Sequence, residues 1–297
     1  MSDTTPTSAP ATAPTPELKT YHGSCHCGAV KYTVTLPEIT SVTECDCSLC
    51  FKKGYKSLFP SGGLVFEEGK GEDKLKSYEF AGKNIAHRFC PTCGTAVMAR
   101  GYAGSGLNIG INDIFSLKVN TFNGTTLEPG YTPHAFTGPE PTATIENAKT
   151  YHGSCHCGAI TMAFKAAGPL PEGSENIQQC NCSICCSNGT ILTYPHKNQI
   201  SIHSPTTPPT PLSIYTFGRK LQQHTFCPIC GVAISLQKNR PVDPELFKKE
   251  APAGADQKQW EEELPVNLRC FEGVEWDRVK VENGDCRNYG GKYEVPA

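Results

Sequence analysis

Short apolar runs rich in β-branched and aromatic residues recur along the chain, each closed by Gly, Pro or a cysteine pair. Residues 29–35 (AVKYTVT), 64–66, 75–80 and 95–98 predict strands in the first half. Residues 160–164, 200–203, 212–217 and 232–236 repeat that layout in the second. A 3.6-residue period is weak, surfacing only in short pieces at 112–117, 245–250 and 257–263. The expected fold class is mainly β.

The layout repeats because the sequence does. Residues 21–29 read YHGSCHCGA and residues 151–159 read the same nine letters, 130 positions later. Cys45-Asp46-Cys47-Ser48-Leu49-Cys50 then matches Cys180-Asn181-Cys182-Ser183-Ile184-Cys185. Tyr78, Phe80, His87, Phe89 and Cys90-Pro91-Thr92-Cys93-Gly94 match Tyr215, Phe217, His224, Phe226 and Cys227-Pro228-Ile229-Cys230-Gly231. Order is kept while the spacers stretch, the mark of a tandem duplication. The expected organisation is a disordered tail over 1–19, a domain over 20–125, a Pro-rich linker over 126–149 and a second domain over 150–290. Insertions at 204–211 and 240–265 should be surface loops.

Composition narrows the function. With 27 Lys+Arg against 29 Asp+Glu the formal net charge is −2 in 297 residues, which argues against nucleic-acid and anionic-membrane partners. No 18-residue apolar stretch occurs, so a transmembrane helix is not expected. The first 16 residues, mostly Thr, Ala, Ser and Pro, contain neither a basic start nor an apolar signal core, so a reducing, cytoplasmic setting is expected. There the 17 cysteines read as metal ligands or reactive thiols before disulfides.

Each repeat carries seven cysteines in three groups, CxC, CxCxxC and CxxCG. They are Cys25 and Cys27; Cys45, Cys47 and Cys50; Cys90 and Cys93; then Cys155 and Cys157; Cys180, Cys182 and Cys185; Cys227 and Cys230. Cys186, Cys270 and Cys286 are left over. Seven thiolates cannot close two four-cysteine sites, so each repeat divides into a closed site of four and an open site of three. Soft thiolates in tetrahedral geometry select zinc or iron-sulfur, and small domains gain most from a metal staple. Spacing leaves the pairing open: Cys47 and Cys50 could join Cys90 and Cys93, or CxC could join CxxC and leave the CxCxxC trio unfilled.

The ordered motifs SCHCGA, CxCSxC and YxF…HxFCxxCG resemble the glutathione-dependent formaldehyde-activating family, the GFA/CENP-V domain, in both repeats. That resemblance implies two tandem β-tent zinc-binding domains and up to four zinc ions per chain. It implies structural zinc on Cys25, Cys27, Cys90 and Cys93 and on Cys155, Cys157, Cys227 and Cys230. A second zinc is implied on Cys45, Cys47 and Cys50, and its counterpart on Cys180, Cys182 and Cys185. The implied chemistry is a carbon-sulfur lyase reaction, with glutathione and formaldehyde, a small thiol and a small aldehyde, condensing reversibly to S-hydroxymethylglutathione. A non-catalytic β-tent scaffold for protein interaction is the competing reading, and a chromatin- or microtubule-associated module is disfavoured by the neutral charge.

Several residues have two readings. Lys52 and Lys53, just beyond Cys50, could meet the substrate's carboxylates or belong to a solvated turn. Cys186 could close the second trio or be a free, half-buried thiol. Cys270 and Cys286 read as packing residues. His26 and His156, inside CxC, should point away from the flanking sulfurs, and a direct ligand role for His87 and His224 is not expected.

Overall fold

The computed structural model describes residues 16–60, 62–101, 104–108, 117–127, 130–238, 242–251, 254–287 and 292–297. It is mainly β with a few short helices. Each repeat forms a three-stranded sheet and a seven-stranded sheet. In the first, Leu18–Ser24 pairs antiparallel with Lys31–Pro37, which pairs with Leu64–Phe66. The larger sheet runs from the short strand Lys76–Tyr78 through Ile85–Phe89 and Ala96–Gly101 to Ser41–Cys45, and Lys118–Phe122 adds a parallel edge. The second repeat forms the same pair of sheets, with Glu282–Gly284 as the parallel edge strand beside Ile177–Cys180.

Alternation along the strands puts apolar residues inward. In Lys31–Pro37, Tyr32 and Val34 are buried while Thr35 is exposed, as a half-buried strand requires. The strands expected at 64–66 and 200–203 form with those bounds, and the others form within about three residues of expectation. Leu18 and Lys19 correct the expected disordered tail, because the first strand begins there and pairs with Leu36 and Pro37. Residues 1–15, and the helical piece expected at 112–117 except its last residue, lie outside the described residues.

Sequence periodicity missed the two helices that matter for the sulfur clusters. Helix α1 (Ser48–Lys53) and helix α2 (Ser183–Asn188) are each six residues long, too short to show a period. Both end on a glycine in the left-handed region, Gly54 at φ 59° and Gly189 at φ 60°. These caps touch: a Cβ on Gly54 would lie 2.1 Å from the Gly189 carbonyl oxygen. In the insertion at 240–265, helices α3 (Pro244–Glu250) and α4 (Gln257–Glu262) match the expected helical pieces. Asp243 and Asp256 cap them by accepting from the Leu246 and Gln259 amides.

The two repeats interlock. One buried cluster joins Cys25, Val30, Phe89 and Met98 to Ile184, Leu192, Tyr215 and Phe226, and the other carries Leu49 of the first repeat into the core of the second. Phe89 packs over Gly231 and Phe226 over Gly94, so each CxxCG knuckle seats an aromatic ring from the opposite repeat. The segment expected as a linker packs against the second repeat. Tyr131 stacks on His156 at 4.7 Å, Phe136 stacks on His152, and the Pro141 and Ala143 carbonyls accept from Lys165 Nζ. The C-terminal residues mirror it: Tyr293 stacks on His26 at 4.1 Å and donates its hydroxyl to the His26 carbonyl.

Candidate metal centres and active site

Four groups of sulfur atoms assemble, each with all its members within 4.8 Å of one another. Two are quartets, Cys25, Cys27, Cys90 and Cys93, and Cys155, Cys157, Cys227 and Cys230. Two are trios, Cys45, Cys47 and Cys50, and Cys180, Cys182 and Cys185. Sequence spacing left the pairing open; in three dimensions CxC meets CxxC, and CxCxxC stands apart.

The quartets fit a tetrahedral ion by their own dimensions. Zinc-sulfur bonds of about 2.3 Å give tetrahedron edges of about 3.8 Å. Cys25 and Cys27 lie 3.6 Å apart and Cys27 and Cys90 3.5 Å, with 3.6 Å for both corresponding pairs in the second repeat. Local backbone makes this possible. Gly94 and Gly231 take φ 76° and 70°, turning their amides back to the Cys90 and Cys227 carbonyls at 2.9 Å. The Val30 and Ile160 amides donate to Cys25 and Cys155 Sγ at 3.3 Å.

In each trio the middle cysteine caps a helix and the last lies one turn inside it, which brings the two side chains to one end. Cys45 joins them from the end of its strand. Hydrogen bonds from Cys47 and Cys50 hold the Cys45 thiol well below its ordinary range, and Cys182 is lowered in the same way by Cys180 and Cys185. Each trio favours one thiolate while its other two thiols are pushed up in turn, so a soft cation would have to displace their protons.

The first trio is bordered by polar atoms with no partner. Lys53 Nζ, Tyr55 Oη and His87 Nδ1 are buried and make no hydrogen bond. Lys53 Nζ lies 5.5 Å from the Tyr55 ring centre, and Tyr55 stacks on His87 at 6.0 Å. Lys53 feels Cys230 and Cys227 of the other repeat's quartet ahead of Cys50, its Nζ lying 2.8 Å from where a Cβ on Gly231 would stand, while Tyr55 feels Cys50, Cys230 and Cys47 and His87 feels Cys45. Burial lowers Lys53 to about 8 and, with Lys53 adding repulsion, lowers His87 to about 3, leaving a neutral imidazole. Beside Cys45 the chain is bare, for a Cβ on Gly124 would lie 2.2 Å from its sulfur. Buried, unpaired polar atoms are costly without a ligand, so their clustering marks a site.

The lysine pair divides. Neither residue is in a solvated turn, since both are buried. Lys52 bonds Glu272 at 2.8 Å and the Cys270 carbonyl at 3.2 Å, tying the repeats together rather than facing a substrate. Lys53 remains the unpartnered cation. Tyr55 was missed in the sequence, where it stands as an ordinary core aromatic. In the second repeat Asn188 and Thr190 replace Lys53 and Tyr55.

The CxC histidines point away from the flanking sulfurs and across the repeat boundary. His26 bonds Tyr215 Oη and Ser183 Oγ, each at 2.9 Å; His156 bonds Tyr78 Oη and Ser48 Oγ, each at 2.8 Å. Ser48 and Ser183 open α1 and α2, so each quartet is tied to the opposite repeat's trio helix.

Comparison with known proteins found one family match and a structural neighbour. Residues 20–123 match the model of the glutathione-dependent formaldehyde-activating enzyme family. A crystal structure of a Rhodobacter sphaeroides protein is 23% identical, covering 44% of this chain and 98% of its own, with a TM-score of 0.32. Among the described residues no helix is long and apolar enough to cross a membrane.

Proposed function

We propose that the protein is a zinc-dependent carbon-sulfur lyase handling thiol adducts of small aldehydes, with S-hydroxymethylglutathione as lead substrate. The carrying observation is the Cys45, Cys47 and Cys50 trio bordered by the unpartnered Lys53, Tyr55 and His87. The family matched at residues 20–123 supports glutathione and formaldehyde as the substrate pair. We read the chain as two tandem units of that type, over 20–125 and 150–290, supported by the shared motifs and sheet order.

Cys45, Cys47 and Cys50 would hold the ion, which supplies acidification of a thiol and polarisation of a carbonyl. This chain's residues do the rest. His87, held neutral, can carry the thiol proton only in passing at Nδ1, handing it on to the aldehyde oxygen so that the imidazole ends the step neutral. The sulfur lone pair forms the carbon-sulfur bond to the aldehyde carbon, and the carbonyl π pair moves to oxygen. The Tyr55 hydroxyl and Lys53 ammonium donate to that oxygen, which gains a proton as the adduct forms. In reverse the carbon-sulfur bond breaks and aldehyde and thiol are released. Two carboxylates on glutathione give Lys53 a second role in holding the thiol substrate.

Exchange between formaldehyde and S-hydroxymethylglutathione, followed by NMR with the zinc-loaded full chain, tests the reading. Acceleration over the spontaneous reaction that disappears in Cys47→Ser is expected. A zinc-replete protein that neither accelerates exchange nor binds millimolar glutathione by calorimetry would refute it. The full chain is required because Ser48 on α1 is held by His156 of the other repeat.

A further inference from the structure

The two trios differ in one neighbour. In the first repeat, strand Lys118–Phe122 runs parallel to Ser41–Cys45 with Phe122 opposite Cys45, and the Asp46 amide donates to the Phe122 carbonyl at 3.1 Å. Two residues on, the Gly124 amide donates to Asp46 Oδ1 at 2.7 Å, and Gly124 presents no side chain to the sulfurs. In the second repeat, Gly284 lies opposite Cys180, and the Asn181 amide donates to the Gly284 carbonyl at 3.0 Å. Two residues on, the Cys286 amide donates to Asn181 Oδ1 at 2.8 Å. Cys286 therefore holds the place of Gly124. Its thiol acts on that of Cys180, although its sulfur does not yet lie within 4.8 Å of all three members of the trio, so metal binding would have to draw it in.

We propose that Cys286 is the fourth ligand of the second trio, so that Cys180, Cys182, Cys185 and Cys286 form a closed four-thiolate zinc site and the chain keeps a single open one at Cys45, Cys47 and Cys50. This rests on the reading that the trios bind metal. Four thiolates complete a tetrahedral ion and leave no position for a thiol or aldehyde, which is the arrangement of structural zinc. The surroundings agree. Lys53 and Tyr55 have no counterparts at the second trio, where Asn188 and Thr190 stand in their places, Tyr194 is the phenol that feels Cys185 and Cys180, and the space beside Cys185 amounts to about 10 Å³, room for one water. Cys186, the nearer neighbour in sequence, does not compete: its sulfur turns toward the Cys180 backbone carbonyl at 4.0 Å.

The test uses the zinc-loaded full chain, with metal counted by mass spectrometry before and after a chelator and thiol accessibility read by iodoacetamide alkylation. About four zinc ions are expected, of which about one, from the first trio, leaves quickly. Cys286→Ser should raise the quickly released fraction to about two per chain, and Cys186→Ser should not change it. In the unmutated protein Cys286 should resist alkylation until metal is stripped and then react, a measurement that does not depend on how the variant folds. Alkylation of Cys286 in the loaded protein as fast as after the metal is stripped overturns the proposal. About two zinc ions with both trios empty overturns this proposal and the lyase reading together. About four zinc ions with Cys286→Ser indifferent overturns this proposal alone.

Discussion

Lys53 shows how one side chain can be paired electrostatically yet unsatisfied in hydrogen bonds. Its ammonium lies 4.7 Å from the Phe89 ring centre and feels Cys227, Cys230 and Cys50, yet has no acceptor. A substrate carboxylate or oxyanion would supply one. Hydrogen bonds to charged groups contribute roughly 1.5–3 kcal/mol, so Lys53→Met should weaken glutathione binding by about 10- to 100-fold in calorimetry while the zinc count is unchanged. His26 and His156 have a different job. His26→Ala leaves the Tyr215 and Ser183 hydroxyls without their partner and should cost about 1–3 kcal/mol, read as a lower midpoint in thermal or urea unfolding. All fourteen motif cysteines were legible at this scale, because ligand spacing is a local constraint. Tyr55 and Cys286 were not, because a phenol beside a cluster and a phenol in a core look alike in sequence.

At the scale of elements, α1 and α2 meet at their glycine caps. Gly54→Ala imposes a left-handed backbone on an L residue, costing about 1–2 kcal/mol, and drives a Cβ into the Gly189 carbonyl. The expected outcome is a loss above 2 kcal/mol in urea unfolding, together with faster release of zinc from the trio on the same helix. Gly69, whose φ is 73° with open space around it, is the control and should lose only the conformational part. The strands were legible because alternation over three to seven residues marks a half-buried sheet. The trio helices were hidden because six residues carry too little period, and CxxC positions a helix cap without announcing one.

Across the whole molecule, metal and interface hold the fold jointly. Cysteine ligands must be deprotonated, so acid together with a chelator should strip the quartets and the unfolding transition should broaden and fall, followed by circular dichroism against zinc content. A fragment of residues 16–147 lacks Ser183, Tyr215, Phe226 and Tyr293, the partners that seat His26 and Gly94. It should bind zinc yet show reduced hydrogen-exchange protection and exposed apolar surface. Sequence alone determined the repeated motifs, the mainly β class and the cysteines of each motif, since each is written in residue type and spacing, but not which motifs join into a quartet. Only the tertiary structure decided that each quartet braces the opposite repeat's trio, that a strap expected to be a linker stacks on His156, and that Gly124 and Cys286 occupy equivalent places. Which copy supplies a neighbour depends on buried contacts between segments far apart in the chain, and a repeat compared with itself holds no record of them.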